Sequence, residues 1–356
     1  MNILFYIDTI GYGGAERVIV NLSNQLSERG HNCIVVTSFE KSPEYTLEKN
    51  VLRLSLKKKY IEGYYKRNFL LTRELRKIIK KIRPEVAIVF LPEPIFRFSL
   101  ASLGIKIKQI YSIRNDPKRE YGSAIYRLLS KLLLPRGDGF VFQTKEAQDF
   151  FPEKIKNKSK IIYNQVDSVF FNTSYNPTSD IIATGRLVPQ KNHRLLIEAF
   201  SYIYKKIDDN LVIYGEGPMM QDLKDYAERL GVGDRVHLPG YTENIPKTLS
   251  HAKVYALSSD YEGMPNGLME AMAIGLPCVS TDCPCGGPKV LLGERQKKFL
   301  VPLQDSKTFS DKLLSVLESA DIRRALSIEN KERSILFSPN NIIDEWEGYI
   351  KKVVKS

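Results

Sequence analysis

Two glutamates, Glu262 and Glu270, stand eight positions apart in Ser259-Asp-Tyr-Glu-Gly-Met-Pro-Asn-Gly-Leu-Met-Glu270. Between them, Pro-Asn-Gly-Leu reads as the first turn of a helix, with one acid on the entry loop and the other inside the helix. A helix N-terminus carries unpaired amides and a partial positive charge, which suits a phosphate. Flanking carboxylates accept hydrogen bonds from hydroxyls, so the stretch reads as a site for a phosphate joined to a polyol. Glutamates that merely favour the helix dipole and face solvent are the plainer alternative.

Three further loops have the same strand-to-helix setting. Asp8-Thr-Ile-Gly-Tyr-Gly-Gly-Ala-Glu-Arg17 follows the first strand and brings Gly13 and Gly14 to a helix start. Glu16 occupies the place where a dinucleotide fingerprint needs its third glycine, which argues against nicotinamide chemistry. Gly185-Arg-Leu-Val-Pro-Gln-Lys-Asn-His193 brings Arg186 and Lys191 to a second loop, where cations would stabilise charge on a departing diphosphate. A solvated basic helix start is the alternative there. Gly215-Glu-Gly-Pro218 forms a third loop, with proline suited to the first helical turn. The chain contains no Asp-x-Asp pair to hold a catalytic divalent cation, so no metal and no cofactor are expected.

These loops must be held by alternating strands and helices. Apolar runs at 3–7, 33–37, 86–90, 109–112, 139–143 and 160–163 read as strands of a first half, with helices at 15–29 and 64–82. A turn-rich segment at 167–180 reads as a linker. Strands follow at 181–184, 211–214, 235–238, 253–257 and 277–280, with helices at 191–206, 218–230 and 266–274. The class is α/β, two doubly wound halves facing a cleft, with ligands expected in the loops after the strands. Leu238 to Asn244 could line a base pocket or be a plain turn.

The formal charge is +12, but residues 1–170 hold 30 Lys/Arg against 17 Asp/Glu, so the basic excess belongs to the first half. Much of it lies at Lys57-Lys-Lys59 and on the 64–82 helix, beside an apolar stripe of Leu71, Leu75, Ile78, Ile79 and Ile82. The stripe and charges read either as a core-packed helix with a solvated face, or as a surface for an anionic membrane or a polyprenyl diphosphate. No apolar run approaches the roughly 18 residues of a membrane span and the N-terminus lacks a signal peptide's pattern, so the cytoplasm is the expected compartment. Four cysteines lack the paired spacing of a zinc site.

Taken together, the four motifs resemble glycosyltransferase family 4, retaining enzymes of the GT-B fold with two Rossmann-like domains. The resemblance runs from Gly13-Gly-Ala-Glu-Arg17 through Gly185-Arg-Leu-Val-Pro-Gln-Lys191 and Gly215-Glu-Gly-Pro218 to Glu262-Gly-Met-Pro-Asn-Gly-Leu-Met-Glu270. It implies domains at 1–166 and 167–338, and a helix at 339–356 crossing back to the first. It further implies that Glu262 contacts the transferred sugar, Glu270 the ribose, and the amides of Asn266, Gly267 and Leu268 the diphosphate. Arg186 and Lys191 would hold that diphosphate from the other side of the leaving bond, with Gly13 and Gly14 closing on it. Many relatives place a histidine where Tyr111-Ser-Ile-Arg-Asn-Asp-Pro117 offers Arg114, a permanent cation unable to act as a base but able to hold an acceptor phosphate or the sugar. Asn164-Gln-Val-Asp167 stands where relatives often carry Asn-Gly-Val-Asp.

The implied activity is metal-independent transfer of a hexose, with retention, from a nucleotide diphosphate sugar, expected to be uridine-linked, to a hydroxyl of a glycan or polyprenyl-diphosphate-linked glycan in envelope polysaccharide synthesis. Peripheral contact with the inner face of an anionic membrane through the N-terminal domain goes with it, and nucleic acid is not an expected partner. A nucleotide-sugar epimerase on the same fold and a non-catalytic basic membrane- or nucleic-acid-binding protein are the competing readings.

Overall fold

The computed structural model describes every residue of the chain except 12 and 243. It divides into two compact units, Met1–Asn164 with Ile342–Ser356, and Gln165–Asn341.

The first unit is built on seven strands: β1 (Asn2–Ile7), β2 (Asn32–Phe39), β3 (Leu52–Lys57), β4 (Val86–Phe90), β5 (Lys108–Ser112), β6 (Gly139–Phe142) and β7 (Ser159–Ile161). All pair in parallel, in the order β3-β2-β1-β4-β5-β6-β7. The central strands are apolar on both faces because a parallel sheet is covered by helices on both sides; every residue of β4 is buried. Helix Gly14–Glu28 lays Val18, Ile19, Leu22 and Leu26 against the sheet and stops where Gly30 takes φ +83°. The last helix, Pro339–Lys355, packs Ile342, Ile343, Trp346, Ile350 and Val353 into the same core as β1 and β4. Its Tyr349 hydroxyl accepts a hydrogen bond from the Phe140 amide at 2.9 Å and donates to the Lys158 carbonyl at 2.5 Å.

The second unit carries β8 (Ser179–Thr184), β9 (Leu211–Tyr214), β10 (Val236–Gly240), β11 (Ala252–Leu257), β12 (Cys278–Thr281) and β13 (Leu300–Val301). These too are parallel, in the order β10-β9-β8-β11-β12-β13. Leu195, Leu196, Phe200, Leu223, Phe309 and Leu313, from the flanking helices, fill its core.

Several expectations from the sequence need correction. β3 is a half-exposed strand at the sheet edge whose Leu-Arg-Leu-Ser-Leu-Lys alternation runs into a basic cluster, and only one of its residues is buried. β13 is two residues long, too short for any periodicity. The linker contains the helix Ser168–Phe171, capped by the Asp167 carboxylate, which accepts from the Val169 amide. Lys191 lies in a 3₁₀ turn, Pro189–Lys191, and not in the helix. The helix itself begins at His193, because Asn192 in the left-handed conformation caps it through the Leu195 amide. The helices Pro92–Ala101, Ala124–Leu133, Ser306–Glu318 and Ala320–Ser334 were among those that went unforeseen.

In each sheet the order reverses once, between β1 and β4 and between β8 and β11. Loops leaving such neighbouring strands part in opposite directions and open a crevice at their carboxyl ends. In the second unit these are the loops that follow Thr184 and Leu257, and they contain Arg186, Lys191 and Glu262.

Candidate active site

At this reversal Lys191 and Glu262 meet. Lys191 Nζ donates to Glu262 Oε1 at 2.5 Å, and Ser259 Oγ donates to the same oxygen at 2.7 Å. The two charged side chains retain 17% and 9% of their exposure, so water screens the pair far less than it would a surface bridge. The loops are also stitched by main-chain and amide bonds. Ser258 Oγ donates to the Lys191 carbonyl at 3.0 Å, Gln190 Nε2 to the Tyr261 carbonyl at 2.9 Å, and the Asp260 amide to the Gln190 carbonyl at 2.9 Å. Asp260 accepts further bonds from Asn192 Nδ2 at 2.8 Å and Gln304 Nε2 at 2.9 Å. Lys191 and Glu262 are thereby fixed by backbone as well as by their mutual attraction.

Directly after Glu262, helix Asn266–Ile274 opens on Pro265, which supplies no side-chain cap. Gly267 makes this helix start possible. A Cβ there would overlap Tyr255 Oη and Thr184 Oγ1, which hydrogen-bond each other at 2.9 Å. That contact binds the helix N-terminus to the last residue of β8, one residue before the Gly185 loop. Leu268 and Glu270 are both buried. Glu270 lies in the second turn of the helix.

The glycines of Gly215-Glu-Gly-Pro218 serve backbone packing. Gly215 and Gly217 take φ +146° and +157°, where side chains are strained. A Cβ on Gly215 would also overlap the Gly185 carbonyl oxygen, and one on Gly217 the Leu187 carbonyl oxygen. The Leu187 amide bonds the Glu216 carbonyl at 2.8 Å and the Met219 amide the Leu187 carbonyl at 3.1 Å. The third loop thus supports the 185–191 loop from behind.

Arg186 is exposed, whereas His193 beneath the loop is buried. Burial, reinforced by the Lys191 charge, lowers the His193 pKa to about 4, so its imidazole is neutral near pH 7. Neutrality leaves Arg186 and Lys191 as the cations of this loop.

In the first unit Gly13 is the N-cap of helix Gly14–Glu28, in extended conformation, and the Glu16 carboxylate lies where a Gly13 Cβ would stand. An anion approaching Gly13 and Gly14 would first have to displace that carboxylate. Arg114 follows β5 and is buried. The four cysteines are buried free thiols. Of the 238–244 turn, residue 243 lies outside the described residues.

Ser259, Tyr255 and Thr184 went unassigned in the sequence. Ser259 had a signal, three positions before Glu262 in the same stretch. Tyr255 had none, since its hydroxyl reaches the site only because β11 lies beside β8.

The chain matches the family described as Glycosyl transferases group 1 over residues 167–333 and that described as Glycosyltransferase Family 4 over residues 12–170. It is 27% identical to an undecaprenol-diphosphate-glycan α-1,4-N-acetyl-D-galactosaminyltransferase of Campylobacter jejuni, the two matching over 99% of each chain. It is 34% identical to an Escherichia coli UDP-Gal:α-D-GlcNAc-diphosphoundecaprenol α-1,3-galactosyltransferase over 45% of this chain and 41% of that one. Among solved structures, Anabaena HepE in complex with UDP and glucose superposes with a TM-score of 0.85 at 18% identity, over 99% of both chains. Sucrose-phosphate synthase of Thermosynechococcus elongatus gives 0.84 at 16% identity, again over 99% of both. With two Rossmann-like parallel sheets and motifs in four of its strand-to-helix loops, the chain belongs to glycosyltransferase family 4 and is a glycosyltransferase of the GT-B fold.

Proposed function

We propose that this glycosyltransferase moves a hexose, with retention, from a uridine diphosphate sugar to a hydroxyl of a polyprenyl-diphosphate-linked glycan in envelope polysaccharide synthesis. The observation that carries the reading is the Lys191–Glu262 pair beside the start of helix Asn266–Ile274. A cation, a carboxylate and a helix N-terminus at one sheet reversal suit a ligand with anionic and hydroxylated parts. In this reading Lys191 and Arg186 neutralise the departing diphosphate, and the amides of Asn266, Gly267 and Leu268 receive its oxygens. Glu262 takes hydroxyls of the transferred sugar or its developing positive charge, and Glu270 takes the ribose hydroxyls. Gly13 and Gly14 close on the donor once Glu16 swings aside. Side-chain cations replace a divalent metal.

The acceptor class is drawn from the relatives whose names specify undecaprenyl-diphosphate glycans. A lipid-borne acceptor suits the first unit, where helix Ala124–Leu133 leaves Ile125, Leu128 and Leu132 exposed on one face, with Arg127 and Lys131 between them. Tyr65 and Phe69 of helix Tyr64–Ile82 are exposed among Lys66, Arg67 and Arg73. Apolar side chains set among cations match an anionic lipid surface.

The reading is tested by incubating the protein with a panel of nucleotide sugars and an undecaprenyl-diphosphate-linked glycan, with EDTA present. A mass increment of one hexose on the lipid-linked product, from a uridine donor, supports it. Loss of activity in EDTA with rescue by manganese defeats the metal-free mechanism, and isomerisation of the donor without an acceptor defeats the transferase assignment.

A further inference from the structure

The loop leaving β5 buries a cation that no described residue answers with a hydrogen bond. Among the described residues, Arg114 Nε, Nη1 and Nη2 are all buried without a hydrogen-bond partner. A guanidinium has only donors and stays charged, so burial without acceptors is costly. Burial alone draws its pKa down to about 9, no facing carboxylate offsetting it. Two rings are its immediate company: its central carbon lies 4.7 Å from the Phe90 centroid and 5.9 Å from that of Trp346, and the rings stack on each other at 6.3 Å. Contact with ring faces offsets part of the lost hydration but satisfies none of the N–H groups.

A second donor lies at the same place. Trp346, wholly buried on the last helix, has an indole N–H that also finds no partner among the described residues. An indole nitrogen can only donate. Two neighbouring groups that can only donate, one of them a full charge, specify an acceptor that is negatively charged and carries more than one oxygen. Ser112 Oγ, from the end of β5 opposite Phe90, is likewise unpaired and can donate or accept. The cluster stands at the carboxyl ends of β4 and β5, where parallel sheets place their ligands.

We propose that Arg114 and Trp346 form an oxyanion site in the first unit, which takes a phosphate or carboxylate group through the guanidinium and the indole N–H. The site is separate in the chain from Lys191 and Glu262 and does not depend on their assignment. Because the guanidinium nitrogens are shielded from solvent, the loop following β5 must open to admit the anion.

Trp346 is the only tryptophan in the chain, so its fluorescence reports on this place alone. The intact protein is titrated with inorganic pyrophosphate and, separately, with glucuronate. A saturable change in emission is expected with at least one; pyrophosphate alone would mark a phosphoryl site and glucuronate alone a carboxylate site. Arg114→Met should remove the response, weakening binding at least about tenfold, while Lys191→Ala should retain it. If Arg114→Met does not fold, Arg114→Lys decides, since an ammonium keeps the charge without the planar fork and should bind more weakly than wild type. No saturable change with either anion, or a response unaltered by substitution of Arg114, overturns the proposal. Loss of transferase activity in Lys191→Ala has no bearing on it.

Discussion

Lys191 Nζ and Glu262 Oε1 are 2.5 Å apart although 71 residues separate them in the chain. The distance follows from topology. Lys191 leaves the loop after β8, Glu262 the loop after β11, and these strands are neighbours at the reversal of the sheet. Their opposite charges attract in a place from which water is largely excluded. In the proposed reaction, an arriving diphosphate would draw Lys191 to itself and release Glu262 for a sugar hydroxyl. A double-mutant cycle of Lys191→Met and Glu262→Gln, read by chemical unfolding, should give a coupling of about 1–3 kcal/mol. Coupling below a few tenths would mean the pair is not formed in solution.

Removal of Lys191 should slow transfer more than it weakens donor binding. The cation is assigned to charge that grows as the diphosphate departs, so Lys191→Ala should cost roughly 10²–10³ in turnover. Glu270→Ala should instead act mainly on affinity for uridine diphosphate. Calorimetric binding alongside single-turnover rates separates the two, and unchanged values in both variants refute the site.

Gly215 and Gly231 both have positive φ, but only Gly215 faces the Gly185 carbonyl oxygen; a methyl group on Gly231 would meet nothing within 4 Å. Gly231→Ala should therefore cost only the backbone strain, about 1–2 kcal/mol. Gly215→Ala must in addition shift the 185–191 loop, costing a further ~1–3 kcal/mol and lowering donor affinity. Equal melting temperatures for the two variants would contradict the loop-on-loop packing.

His193 makes stability depend on pH. Its pKa is near 4 when folded, against an unfolded value of 6.5, so between these the unfolded chain binds the extra proton. Stability should rise with pH across that window, by about 3 kcal/mol in all from this group, and be independent of it above 6.5. In His193→Leu that increment should vanish, visible as a flatter profile of unfolding free energy from pH 4 to 6.5.

Tyr349 ties the last helix to β6 and the loop before β7 through two hydrogen bonds to main chain. Tyr349→Phe should remove both bonds while the Phe140 amide keeps its bond to the Lys158 carbonyl at 3.0 Å, and so should cost about 0.5–1.5 kcal/mol. Hydrogen exchange should report the loosening at Phe140 first, with uridine diphosphate affinity unchanged.

Much of this molecule is written locally. The β4 run Val-Ala-Ile-Val-Phe has the length and continuous apolarity of a strand covered on both faces, and helix Asn266–Ile274 begins and ends where Pro265 and Gly275 dictate. β3 was hidden because an edge strand buries too little to need a clear apolar pattern, and β13 because two residues carry none. The Gly-rich loops announced close approach of backbone, but not to what. For Gly215 and Gly217 the structure shows the neighbouring loop in that close approach.

The sequence by itself determined the alternation of strands and helices, the loops that bear glycine, cation and carboxylate, and through them the family. These follow from periodicity and turn chemistry, which act over a few residues. Only the tertiary structure decided that Lys191 bonds Glu262, that Tyr255 and Thr184 demand glycine at 267, and that Arg114 and Trp346 lie together without an acceptor among the described residues. Each of these joins residues remote in the chain, and their meeting depends on strand order and helix packing, which no local pattern encodes.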